Sequence, residues 1–188
     1  MFKENAKNIK LLLLDVDGVM TDGRIVMGAT GELCKNFSAM DGLGITLAQA
    51  NGLQIGIITG RTSQIVANRA AELHIELLYQ GVSNKAEVLK QILAAGKYRT
   101  EQIAVMGDDL NDLPMLKMAK LAIAPANAAI EIRERAHYIC HKSGGQGAVR
   151  EAIEFILKNQ GKWNNIIRKY LVQTQGDNNA ILSDKISQ

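Results

Sequence analysis

The chain has 188 residues, 47% hydrophobic and 22% charged, with a formal net charge of +3. That length builds a core without a disulfide or metal staple, and Lys and Arg scattered among Glu and Asp make a solvated surface rather than a nucleic-acid face; aromatics at 4% supply no base-stacking platform. Leu11–Leu14 is far too short to span a membrane, residues 2–9 are too polar for a signal h-region, and Cys34 and Cys140 fit no close-spaced metal pattern, so buried thiols and a reducing, cytoplasmic setting are expected.

Ile9–Val16 is an apolar run of strand length bounded by charge, which predicts a strand buried on both faces. Arg24–Met27 and Leu33–Phe37 are short strand candidates joined by the turn residues Ala29-Thr30-Gly31-Glu32, so a hairpin is expected directly after the first strand. Asp41–Asn51 has helical spacing, with Gly52 at the C-cap. Gln54–Thr59 reads as a second buried strand. Ser63–Leu73 reads as a helix capped by Thr62 or Ser63. Glu76–Tyr79 is a short strand, and Asn84–Ala94 a helix in which Asn84 and Glu87 have the spacing of a capping box.

Ile103–Met106 is a third buried strand, closed by GDDLND. A short helix (Leu113–Met118), a strand (Leu121–Ala124), a helix (Asn127–Arg135) and a strand (Tyr138–Cys140) follow. SGGQG leads into the helix Ala148–Asn159, helical pattern continues over Lys162–Leu171, and 173–188 is a polar, flexible tail. Strands alternating with helices predict one α/β domain over 1–172, a doubly wound parallel sheet with a small β-hairpin extension at about 24–37.

In such sheets function gathers at the carboxyl ends of the strands, near the switch in strand order. The three clearest strands end in Asp15 and Asp17, in Thr59 and Arg61, and in Asp108 and Asp109, and parallel pairing brings these groups to one edge. Carboxylates crowded this way need a cation. Oxygen-only ligands suit Mg²⁺, and no His/Cys cluster argues for zinc. Metal, carboxylates, a hydroxyl and Lys85 at a helix start together point to phosphoryl transfer: one aspartate attacks phosphorus, and a second carboxyl protonates the leaving oxygen and then deprotonates water. The Thr59 hydroxyl and neighbouring backbone N–H groups would hold the phosphoryl oxygens, and Lys85 would add charge. A non-catalytic, receiver-like phospho-acceptor also places carboxylates and a lysine at strand ends; the second aspartate of Asp15-Val16-Asp17 counts against it.

In their order, Asp15-Val16-Asp17-Gly18, Thr59, Lys85 and Gly107-Asp108-Asp109 with Asn111-Asp112 resemble the four motifs of the haloacid dehalogenase-like phosphatase superfamily. The resemblance implies Asp15 as nucleophile and Asp17 as general acid/base. It implies Mg²⁺ held by the Asp15 side chain, the Asp17 backbone carbonyl and Asp108. Asp109, with Asp112, would be a supporting carboxylate that orients Lys85 or the metal surroundings.

DVDGVMTDG, DGLGI, ITGR, Arg69, LYQG, NK and GGQGAVRE extend the likeness over about residues 9–160 to the capless 3-deoxy-D-manno-octulosonate 8-phosphate (KDO 8-phosphate) phosphatase group. That implies a sugar-acid phosphate substrate contacted by Arg61, Arg69, Asp41, Gly42 and Gly60, and a homotetramer assembled through the hairpin, with neighbours covering each active site. Where the group carries arginines near the substrate, this chain has Met40 and Thr46. Phosphatases of nine-carbon, sialic-type acid 9-phosphates share the catalytic residues and tend to carry a glutamate at the place of Arg61.

Overall fold

The structure is a computed structural model that describes residues 2–172; the expected tail lies outside them. Its elements in chain order are α1 (Phe2–Ala6), β1 (Leu11–Leu14), β2 (Val26–Gly28), β3 (Gly31–Cys34), α2 (Ala39–Ala50), β4 (Gln54–Ile58), α3 (Gln64–Glu72), β5 (Leu77–Tyr79), α4 (Lys85–Ala94), β6 (Ile103–Met106), α5 (Leu113–Met118), β7 (Leu121–Ala124), α6 (Ile130–Arg133), β8 (Tyr138–Ile139) and α7 (Ala148–Asn159). A further helix, α8, covers 163–172. No helix among the described residues is long and apolar enough to cross a membrane.

The main sheet has six strands in the order β5-β4-β1-β6-β7-β8, and every pairing in it is parallel. β1 is central because both of its faces are apolar. Leu12 and Leu14 enter the core beneath α2 and α7, whereas Leu11 and Leu13 enter the core beneath α4 and α5. The same alternation sends Ala104 and Met106 of β6 one way and Ile103 and Val105 the other. From β1 the chain winds outward through β4 and β5, then returns to place β6 on the other side of β1. The switch in strand order therefore falls at β1.

The expected strand Ile9–Val16 shortens to Leu11–Leu14. Asp15 N still donates to Met106 O at 3.0 Å, but Val16 O then accepts from Val19, Met20 and Thr21 N, which turns the chain out of the sheet. The hairpin β2–β3 is antiparallel, with its turn at Ala29-Thr30. Of the two thiols expected to be buried, Cys140 is; Cys34 is exposed, because it lies in a two-stranded ribbon with no second layer over it.

Ser38 and Ser63 cap α2 and α3, accepting from Asp41 N and Val66 N. The expected Asn84–Glu87 capping box does not form: Asn84 sits at the N-cap without a side-chain bond. The expected helix Asn127–Arg135 contracts to Ile130–Arg133 because the Asn127 side chain is committed elsewhere, as described next.

Candidate active site

Gly18 follows Asp15 and Asp17 at φ +89, a left-handed conformation that glycine reaches without strain, and a Cβ there would fall 2.0 Å from Asp108 Oδ2. The bare backbone lets the first loop lie against the end of β6. Asn127 locks it there: its Nδ2 donates to Gly18 O at 3.2 Å, and its Oδ1 accepts from Gly144 N at 2.7 Å. Gly144 packs so closely that a Cβ would stand 1.9 Å from Gly18 O. In the sequence Asn127 reads only as a helix start and Gly144 as part of the stretch that leads into the last helix; the contact of Asn127 with Gly18 spans 109 residues and leaves no local signal.

Thr59 ends β4, its N–H donating to Tyr79 O at 2.9 Å and its carbonyl accepting from Val82 N at 3.1 Å, with the residue buried. Lys85 opens α4 and turns inward, its Nζ 2.7 Å from Asp15 Oδ1 and 2.6 Å from Asp112 Oδ1. Asp112 in turn uses Oδ2 to accept from Asp108 N at 2.9 Å and Asp109 N at 3.4 Å. One buried carboxylate thus fixes both the lysine and the end of β6. The Asp109 side chain does not reach Lys85; it caps its own loop, accepting from Leu110 N at 2.7 Å. Of the two supporting carboxylates, Asp112 is the one in contact with Lys85.

Asp15, Asp17, Thr59, Gly60, Arg61, Asp108, Asp109 and Asn111 line one cleft of about 520 Å³ at the carboxyl ends of β1, β4 and β6. A larger hollow of about 650 Å³ lies at the opposite strand ends. It carries Lys7, Lys10, Arg99 and Lys162, and its one carboxylate, Glu101, is already 3.0 Å from Arg99. Chemistry rather than size selects the first cleft.

Burial, the Asp112 charge and, against them, Lys85 set the Asp15 carboxyl at about 6, up from 3.8. Burial and the charges of Asp15, Asp112 and Asp109 push Asp108 to about 7. Burial opposes the Lys85 charge, but Asp15 and Asp112 outweigh it and raise its pKa. Carboxyls this reluctant to ionise mark a place short of positive charge. Carboxylate oxygens of Asp15, Asp108 and Asp112 all lie within 4.8 Å of one another. Asp112 is already committed to Lys85 and two backbone N–H groups, so Asp15 and Asp108 are the side chains left for a cation. That all-oxygen donor set fits Mg²⁺.

Three expected substrate contacts stand apart from this cleft. Asp41 is buried, and its Oδ1 accepts from Arg150 N at 2.7 Å, so it caps α7. Gly42 lies under Arg69, whose Nη2 would be 2.6 Å from a Cβ there. Arg69 itself pairs with Glu72 at 2.8 Å and lies over the Phe37 ring. Met40 and Thr46 are exposed on α2 and do not line the cleft either. Two residues the motifs do not include come close instead: Lys35 lies on Asp17 Oδ1, and Glu32 lies 3.0 Å from Lys35.

A family model of haloacid dehalogenase-like hydrolases matches residues 63–153. The chain is 45% identical over 157 residues, 84% of each protein, to the 3-deoxy-D-manno-octulosonate 8-phosphate phosphatase of Salmonella typhi. It is 44% identical, with the same coverage, to that of Escherichia coli K12. Among solved structures, a probable phosphatase of the yrbi family from Pseudomonas syringae superposes with a TM-score of 0.88 at 44% identity, covering 90% of this chain and 97% of that one. The Moraxella catarrhalis KDO 8-phosphate phosphatase, in complex with magnesium ion, phosphate ion and KDO, gives a TM-score of 0.87 at 37% identity, again over 90% and 97% of the two chains.

Proposed function

The chain belongs to the haloacid dehalogenase-like hydrolases, among relatives that are KDO 8-phosphate phosphatases, and from that footing we propose that it hydrolyses KDO 8-phosphate to KDO and inorganic phosphate. The observation that carries this reading is the convergence of Asp15, Asp17, Thr59, Arg61 and Asp108 on one cleft, with Lys85 locked against Asp15.

Asp15 is the nucleophile. It is buried at the end of the central strand and held by Lys85, so its aim is fixed before substrate arrives. Its carboxylate oxygen attacks phosphorus and the ester oxygen leaves, giving an aspartyl phosphate. Asp17, less buried and at the cleft, gives its proton to the leaving alkoxide. It then takes one from the water that opens the intermediate and returns inorganic phosphate. The Thr59 hydroxyl and the backbone beside Gly60 hold phosphoryl oxygens, while the Lys85 ammonium offsets charge that develops on them. Asp15, Asp108 and the Asp17 carbonyl would hold Mg²⁺, which would supply neutralisation of the charge on the phosphoryl group.

Arg61 stands at the mouth, half exposed, where its guanidinium fork suits the carboxylate of a sugar acid. The exposed apolar side chains of the hairpin build a homotetramer, and a neighbouring copy completes the sugar site.

The test is kcat/KM for KDO 8-phosphate, N-acetylneuraminate 9-phosphate and p-nitrophenyl phosphate, in the parent and in Arg61→Ala. The eight-carbon acid should be strongly preferred, and Arg61→Ala should lose about tenfold to a hundredfold of that preference, the worth of one charged hydrogen bond. A parent that handled the eight-carbon ester no better than p-nitrophenyl phosphate would overturn the assignment.

A further inference from the structure

Glu32 and Lys35 sit in and just beyond β3, and in sequence they look like ordinary solvated charges. Their side chains are nevertheless 13% and 1% exposed, while Leu33 between them faces out. The Lys35 ammonium lies on Asp17 Oδ1 and 3.0 Å from Glu32 Oε1. The other Glu32 oxygen accepts from the Ser63 hydroxyl, the group that caps α3. Arg61 stands 3.9 Å from both Asp17 Oδ2 and Glu32 Oε1. With Asp17 ionised, two carboxylates and two cations from three segments of the chain form one neutral set, anchored to a helix terminus.

We propose that Lys35 is a positioning residue for the general acid/base, so that the hairpin holds Asp17 on its target as well as shaping the outer surface. The proposal rests on the role given to Asp17 above. Among the described residues, Asp17 receives carboxylate contacts from Lys35 and Arg61 alone. It sits in the turn after β1. An ammonium this enclosed is costly unless paired. A proton donor must meet the leaving oxygen within hydrogen-bond reach, and a misplacement of about 1 Å costs on the order of a hundredfold. Lys35 transfers no proton; it fixes where the Asp17 proton is delivered.

Leaving groups read this role directly. An alkoxide departs from phosphorus only with a proton, whereas p-nitrophenolate departs without one. Lys35→Met should therefore lower kcat/KM, which reports the steps through departure of the leaving group and not the later hydrolysis of the aspartyl phosphate common to both esters, by about a hundredfold for KDO 8-phosphate, or for whichever alkyl phosphate the parent hydrolyses, and only severalfold for p-nitrophenyl phosphate. Lys35→Arg should regain most of the difference. The double variant Glu32→Gln with Lys35→Met removes both charges of the pair and spares the fold a lone buried carboxylate; it should show the same split. Equal losses on both substrates in the single and double variants, or no loss on the alkyl ester, would overturn the role of Lys35. A parent active on p-nitrophenyl phosphate and on alkyl phosphates other than KDO 8-phosphate, but not on KDO 8-phosphate itself, would instead remove the substrate assignment and leave this comparison intact.

Discussion

Lys85 and Asp112 meet at 2.6 Å with their side chains 1% and 0% exposed, although 27 residues separate them in the chain. The pair ties the start of α4 to the loop after β6, and Asp15 is the third member of the group. The two carboxylates are not equivalent. Asp112 satisfies Lys85 and two backbone N–H groups, whereas Asp15 keeps its charge at a cost: burial and the Asp112 charge lift its pKa to about 6.

Opposite stability effects follow for two isosteric changes. Asp112→Asn sets an amide against donors and strips a buried ammonium of a partner, so unfolding free energy should fall by about 3–5 kcal/mol, and activity with it. Asp15→Asn removes a charge that the metal-free fold disfavours above pH 6. Its melting temperature at pH 7.5 without metal should equal or exceed the parent's, while turnover is lost. Near-parental turnover by Asp15→Asn, checked free of contaminating phosphatase, would remove Asp15 as nucleophile.

Metal dependence has two readouts. Turnover should vanish with EDTA and return with Mg²⁺, and Mg²⁺ should raise the melting temperature of the parent more than that of Asp108→Asn, because Asp15 and Asp108 are the carboxylates left to hold it. Ca²⁺ should bind and inhibit, since its looser, higher coordination takes up carboxylate oxygens that Mg²⁺ leaves free. Turnover indifferent to EDTA would refute this.

What the sequence disclosed depended on locality. Four consecutive leucines between charges describe a strand with two buried faces, and the same logic places β4 and β6. Once those strands are parallel, Asp15, Thr59 and Asp108 must surface at one edge. The helix start at Lys85 was equally legible, although its cap lacks the side-chain bond that the spacing of Asn84 and Glu87 promised. The sequence reads Asp41-Gly42 as a substrate contact; in the fold Asp41 accepts from Arg150 N at the start of α7, a placement that only the third dimension reveals. Glu32, Lys35 and Asn127 stayed hidden for the complementary reason. Lys35 reaches Asp17 across 18 residues, Glu32 reaches Ser63 across 31 and Asn127 reaches Gly18 across 109, and nothing periodic marks a side chain that reaches across a hairpin or a loop.

Glu151 gives the fold a pH dependence away from the cleft. Its carboxylate accepts from the backbone N–H groups of His141 at 2.9 Å and Lys142 at 3.0 Å and from the Tyr138 hydroxyl at 2.8 Å, clipping the end of β8 to α7. Burial alone would raise its pKa, but these bonds prevail and lower it below 4.5. A depressed carboxyl adds stability above its unfolded value and loses it as pH falls through the folded one. Glu151→Gln should therefore cost about 1.5–3 kcal/mol near neutral pH. The gap to the parent should narrow as pH drops below 4.5, the unperturbed glutamate value. Melting curves at pH 7.5, 5 and 3.5 check this, and a gap that stayed constant would rule it out.

The hairpin carries the last prediction. Glu32 faces inward, while Leu33, at the irregularity between the Met27–Glu32 and Val26–Cys34 pairs, is 67% exposed and Met27 is 60% exposed. An isolated two-stranded ribbon is marginal in water. The inner charge set fixes one face of this one, and the outer face remains apolar. Each such side chain contributes about 1.5–3 kcal/mol when fully covered, enough that packing hairpin against hairpin among identical chains is the natural outcome. Ile25 also lines the cleft and would confuse the measurement, so Met27 and Leu33 are the positions to change. Light scattering should give the parent about four times the 20.5 kDa chain mass. Met27→Asp with Leu33→Asp should shift it to smaller species. Activity on the sugar acid should fall with assembly, because neighbouring copies cover the site, while p-nitrophenyl phosphate, which needs no sugar contacts, should be hydrolysed with a smaller loss. A parent that scattered as a monomer and retained full activity would end the argument for assembly through this face.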